Sequence, residues 1–132
     1  MSGIQVGLSH MLPTSPPLYT SLTELVSWTL QRTADIPKRH RFTFGQRIEN
    51  LALDALMLCV NAIYVSRPRK AQLLSDLNLR LEELRVLWRL VQQQGWISQQ
   101  QLVFVLSRVD EAGRMVGGWL RQLEGASKNS GS

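Results

Sequence analysis

Lys38, Arg39, His40 and Arg41 stand in four consecutive positions, and Arg47 follows in the next helical pattern. Such a cluster beside a helix start could bind phosphate. Unpaired backbone N–H groups in a first helical turn already favour an anion. An arginine one turn further on could add a bidentate contact. A solvated turn that only aids solubility would use the same residues, and charge alone does not separate the two. Arg67, Arg69 and Lys70 form a second, smaller cluster of the same kind. Arg80, Arg85, Arg89, Arg108, Arg114 and Arg121 are spread among Glu82, Glu83, Asp110 and Glu111, where ordinary i, i+4 pairing is the simpler reading.

Bond-making chemistry finds little to work with. The two histidines are His10 and His40, and His40 lies just after the helix breaker Pro37, a poor place for a rigid general base. Neither pairs with a carboxylate at metal-ligand spacing, so no metal and no ferritin-like di-metal centre is expected. No P-loop or dinucleotide glycine pattern points to a cofactor. No Ser-His-Asp or Cys-His arrangement can be assembled. The expectation is a protein that is not an enzyme.

The elements that must position these residues read as helices. Pro17 to Thr33 carries Leu18, Leu22, Leu25, Val26 and Thr29 on one stripe, and Pro37 closes the pattern. A second helix is expected to start at Thr43 as N-cap, with Gln46 completing a capping box. Its seam is Phe44, Ile48, Leu51, Ala55, Leu58, Ala62 and Val65, widened by Leu56, Cys59 and Ile63, and it should stop near Ser66. After a basic turn, Arg67 to Lys70, a third helix repeats Leu74, Leu77, Leu81, Leu84, Trp88 and Val91 and ends at Gly95. A fourth starts after the N-cap Ser98 and carries Leu102, Val105, Val109, Ala112, Val116 and Trp119, fading after Leu123. No strand alternation competes with these patterns.

The fold expected is therefore all-α, an antiparallel up-down-up-down four-helix bundle. Residues 17–124 would form it, with a flexible leader over 1–16 and a disordered tail over 125–132. The turns at 34–42 and 95–98 would share one end of the bundle, and the turn at 66–70 would lie at the other. The chain has 132 residues, 44% of them hydrophobic, enough to bury a core without disulfides. Its formal charge of +5 suits an anionic partner. Cys59 is its one cysteine, which excludes an intrachain disulfide. With no signal-peptide pattern and no apolar run of bilayer length, a cytoplasmic protein without a membrane partner is expected.

Gly113, Gly117 and Gly118 are out of place inside a helix, where each glycine costs about 1 kcal/mol relative to alanine. They imply a subunit contact, a close crossing inside the bundle, or a helix that ends there. Trp119 and Leu120 continue the apolar period, which favours continued helix with close packing. Trp28, Trp88, Trp96 and Trp119 lie on or beside apolar stripes and read as core or interface residues.

Two motifs together say more. One is Ile36-Pro37-Lys38-Arg39-His40-Arg41-Phe42-Thr43-Phe44-Gly45-Gln46-Arg47-Ile48; the other is Asp110-Glu111-Ala112-Gly113-Arg114-Met115-Val116-Gly117-Gly118-Trp119-Leu120. At this separation the chain resembles the Avd accessory proteins of diversity-generating retroelements, over about residues 18–123. It also resembles the related four-helix proteins encoded in intervening sequences of ribosomal RNA genes. The resemblance implies a non-enzymatic homopentameric barrel that associates with the retroelement's reverse transcriptase and binds RNA and DNA. It would thereby support mutagenic cDNA synthesis. By position, Lys38, Arg39, His40, Arg41 and Arg47 would belong to the basic surface; charge alone adds Arg67, Arg69 and Lys70 as a second, weaker cluster. Gly113, Gly117, Gly118 and Trp119 would serve packing within or between protomers. The alternatives are a ribosome- or rRNA-associated four-helix protein, a basic protein-binding scaffold, and a helical nuclease.

Overall fold

The structure, a computed structural model, describes residues 16–130. The leader expected over 1–16 lies outside it except for Pro16, and so does His10. Four long helices make up the described chain: α1 (Pro16–Arg32), α2 (Gln46–Tyr64), α3 (Arg67–Gln93) and α4 (Gln99–Ser130). No strand occurs among the described residues. Each helix packs on two others in a closed square, α1 on α2, α2 on α3, α3 on α4 and α4 on α1. Short connections make neighbours antiparallel, the arrangement expected from the four apolar stripes.

Those stripes form the core. Leu22, Leu25, Ile48, Ala55, Leu77, Leu84, Val109 and Val116 are buried, and Trp88 is fully enclosed. The Trp28 ring meets Trp88 edge-on, with centroids 5.1 Å apart. That geometry adds about 0.5–1.5 kcal/mol beyond area burial. The inner face of α2 joins Ile48 and Leu51 to the small side chains Ala52, Ala55, Cys59 and Ala62, all buried. Its seam is shifted from the one expected, since Phe44, Leu58 and Val65 are only half-buried. The large side chains Leu53, Met57 and Tyr64 point outward instead and are 39%, 50% and 57% exposed.

The helix ends differ from expectation in three places. Thr43 is not an N-cap. The chain is already helical from Lys38, through a short α-turn (Lys38–His40) and a π turn (Arg41–Gly45) that runs straight into α2. Pro37 leaves helical dihedrals free from the next residue on, and Thr43 Oγ1 donates back to the His40 carbonyl at 3.3 Å instead of capping. Likewise, Arg67, Arg69 and Lys70 lie in the first turn of α3, with proline at its favoured first positions, and not in a loop. Finally, α4 runs on to Ser130, past Leu123 and through most of the tail expected to be disordered. Loss of apolar period does not stop a helix whose backbone bonds are satisfied internally.

The α3–α4 connection follows the sequence closely. Gly95 has φ +80°, and Gly95 N and Trp96 N donate to the Gln92 and Val91 carbonyls, closing a Schellman motif. Ser98 then caps α4 reciprocally with Gln101, the two bonds measuring 2.8 and 3.0 Å.

Candidate nucleic-acid interface

The residues from Lys38 to Arg47 form the lead-in to α2 and lie at the same end of the bundle as the α3–α4 connection. Contact between them is aromatic. The His40 ring stacks on Trp96, and Phe44 meets the same indole edge-on at 5.7 Å. Arg39 Nε donates to His40 Nε2 at 3.0 Å. The first part of the cluster is therefore held against the bundle by one imidazole.

Arg41 is committed differently. Its Nε donates to the Ile36 carbonyl and one Nη to the Ala34 carbonyl, each at 2.9 Å. The Ala34 carbonyl lies in the 3-10 turn (Thr33–Asp35) that ends α1 and the Ile36 carbonyl just after it, so Arg41 acts as a C-cap for the preceding helix. A guanidinium has five N–H groups, and this pairing leaves part of it facing solvent. Lys38, Arg39 and Arg47 are exposed and have no acidic partner among the described residues.

At the other end, Lys70 repeats the capping role. Its Nζ donates to the Ala62 and Ile63 carbonyls at 2.8 and 2.9 Å, on the last turn of α2. Arg67 and Arg69 are exposed beside it and have no acidic partner among the described residues. Arg67 and Pro68 line a groove of about 600 Å³ with Ala71, Ser75, Leu120, Leu123 and Glu124. This contact places the start of α3 beside the later part of α4.

Of the six helix-face arginines, Arg80, Arg85 and Arg108 pair with acids as the simpler reading expected, with different spacing, whereas Arg89, Arg114 and Arg121 are exposed and have no acidic partner among the described residues. Arg80 pairs with Glu83 at 2.7 Å, and Arg85 with Glu82 at 3.2 Å, both three residues apart. Arg85 also reaches across to Asp110, and Arg108 joins Glu111 to Glu24 of α1. The Asp110 hydrogen bond raises the Arg85 pKa above its ordinary value, partial burial opposing it and Glu82 adding to it. A raised folded-state value keeps this contribution intact below the unfolded arginine pKa, so it is lost only in strong alkali. The Arg85–Asp110 and Arg108–Glu24 pairs tie helices together, and with the local pairs Arg80–Glu83 and Arg32–Asp35 they remove four arginines from the free basic surface.

The glycine strip does not mediate a close crossing inside the protomer. A Cβ on Gly113 would meet only Asn78 Oδ1 at 3.8 Å, and one on Gly117 only the tip of Arg121 at 3.4 Å. On Gly118 it would reach the same guanidinium at 3.9 Å. No backbone of another helix approaches. Trp119 is half-buried against the core.

Two features escaped the sequence reading. Phe42, in the π turn, is 82% exposed. Leu53, Met57 and Tyr64 form an outward apolar stripe that the core seam conceals in the sequence. A basic run with an aromatic inside it was the available signal for Phe42. A second set of large apolar residues at helical spacing was the signal for the stripe.

No group of three or more His, Cys, Asp or Glu that could hold a metal occurs among the described residues. No helix among them is long and apolar enough to cross a membrane. Compared with known proteins, the chain matches a family model described as bAvd-like over residues 18–123. It belongs to that family, the Avd accessory proteins of diversity-generating retroelements. No curated protein and no solved structure matches it.

Proposed function

We propose that this bAvd-like chain is a non-enzymatic partner of the retroelement's reverse transcriptase and holds template RNA and cDNA through its basic ends. The observation that carries this reading is that Lys38, Arg39 and Arg47 at one end and Arg67 and Arg69 at the other are exposed cations without acidic partners among the described residues. Contacts of this kind go to phosphates and position a strand without reading its bases. The stiff helical frame keeps the charges in place, so docking needs no bond to be made or broken.

The protomer works as a homo-oligomer, a pentamer by family resemblance, inside the cell beside the reverse transcriptase. Outward Leu53, Met57 and Tyr64 support assembly, because a lone soluble bundle gains nothing from them. Mass measurement in solution addresses the subunit number.

Binding is tested by replacing Lys38, Arg39 and Arg47 together with alanine and measuring affinity for RNA and DNA against salt. Each lost phosphate contact should flatten the salt slope by about 0.7–0.9. Unchanged affinity and slope would remove the proposal. RNA shortened after incubation with pure protein would favour a nuclease instead.

A further inference from the structure

Phe42 stands apart from every other large apolar side chain. It is the most exposed of them among the described residues, at 82%. It makes no aromatic contact among the described residues, although Phe44, two positions on, packs edge-on against Trp96. Both lie in the π turn (Arg41–Gly45), where positions two apart face nearly opposite ways. Gln46 N–H reaches back to the Arg41 carbonyl as well as to that of Thr43, so one extra residue is accommodated.

The surroundings of the ring are cationic. Lys38 and Arg39 lie four and three residues before it, within one helical turn, and both are exposed. Arg41 precedes it directly, its guanidinium held in place by the Ala34 and Ile36 carbonyls. Thr43 and Gln46 beside it are polar and exposed. A protein-binding hot spot favours aromatic residues and arginine and is depleted of lysine. An aromatic ring rising from a cluster of cations instead matches the two parts of a single-strand site, a charged track for phosphates and a flat face for a base.

We infer that Phe42 is a base-stacking residue, and that this end of the bundle takes single-stranded nucleic acid in preference to duplex. The inference rests on the reading of the Lys38–Arg47 region as a phosphate-binding surface. A base can lie on the ring only when it is unpaired, so the ring adds affinity for a single strand and none for a duplex. Every base has a π face, so the added affinity is tolerant of sequence.

The experiment compares full-length protein with Phe42→Ala, Phe42→Leu, Phe42→Trp and the Lys38→Ala/Arg39→Ala double variant. The probes are a mixed-sequence single strand of about 16 nucleotides and its duplex, titrated at several salt concentrations. The ring is exposed, so folding should be untouched. Phe42→Ala and Phe42→Leu should weaken single-strand binding roughly 5- to 150-fold, the range for one lost base–aromatic stack. Phe42→Trp should retain it. Duplex affinity and the salt slope should not change in any Phe42 variant, whereas the double charge variant should lower both. If only the charge variant weakens binding, the stacking role is overturned and the phosphate surface stands. Equal loss on duplex, or full retention by Phe42→Leu, also overturns it. So does a Phe42→Ala loss seen only in capture of the reverse transcriptase, which would assign the ring to a protein contact. Failure of the wild type to bind either probe at low salt would remove the phosphate surface and the stacking role together.

Discussion

His40 stacks on Trp96 with ring centroids 5.1 Å apart and planes inclined by 28°. This contact joins the lead-in of α2 to the α3–α4 connection and fixes where Lys38 and Arg39 are presented. Removing the indole also frees Phe44. Trp96→Ala should therefore lower stability by about 1–3 kcal/mol, less than a fully buried tryptophan because Trp96 is half-exposed. Nucleic-acid affinity should fall too, although no charge is lost. Urea unfolding and a binding titration check both parts; intact affinity would show that the cations need no such anchor.

Lys70 differs from Arg67 and Arg69 in what its charge is used for. Two hydrogen bonds to the Ala62 and Ile63 carbonyls occupy its ammonium at the end of α2. Lys70→Ala should cost about 1 kcal/mol of stability. Arg67→Ala and Arg69→Ala should cost little stability and more nucleic-acid affinity. Denaturation midpoints set beside binding constants for the three variants make the comparison. Equal stability losses would refute the division of roles.

Gly95 adopts φ +80°, a region that strains any residue with a Cβ, and nothing lies within 4 Å of where that atom would stand. Gly95→Ala should therefore destabilise by about 1 kcal/mol through backbone strain alone. Restoring room elsewhere will not rescue it. A thermal melt unchanged from wild type would mean that the turn relaxes at no cost.

Gly113 and Gly117 carry the opposite expectation. Alanine at either position would meet only the flexible ends of Asn78 and Arg121. Within one protomer each substitution should stabilise by up to about 1 kcal/mol, since alanine is the better helix former. If a neighbouring subunit packs on this strip, the same substitutions should reduce the mass seen by light scattering. A more stable protein of unchanged mass would place the subunit contact on another face.

Much of the architecture was written in local pattern. Helical spacing of apolar residues set four helices and most of the core, from Leu22 and Leu25 through Leu77 and Leu84 to Val109 and Val116. Gly95 and Ser98 marked the α3–α4 connection because a positive φ and a side-chain cap are demands of single positions. The number and rough location of the cations were also readable, as was the pair of motifs that carries the family resemblance.

The use of each cation was decided only by tertiary structure. Arg41 and Lys70 cap the ends of the preceding helices, and His40 lies on Trp96 and accepts from Arg39, while Lys38, Arg39 and Arg47 have no acidic partner among the described residues. Arg85 and Arg108 find Asp110 and Glu24 on other helices. A sequence period reports which face of a helix turns inward, but a carbonyl or carboxylate from another segment has no period in common with it. Phe42 and Phe44 show the same limit, since two residues two positions apart on a helical turn face opposite ways and only the packing of Trp96 decides that Phe44 is the inward one.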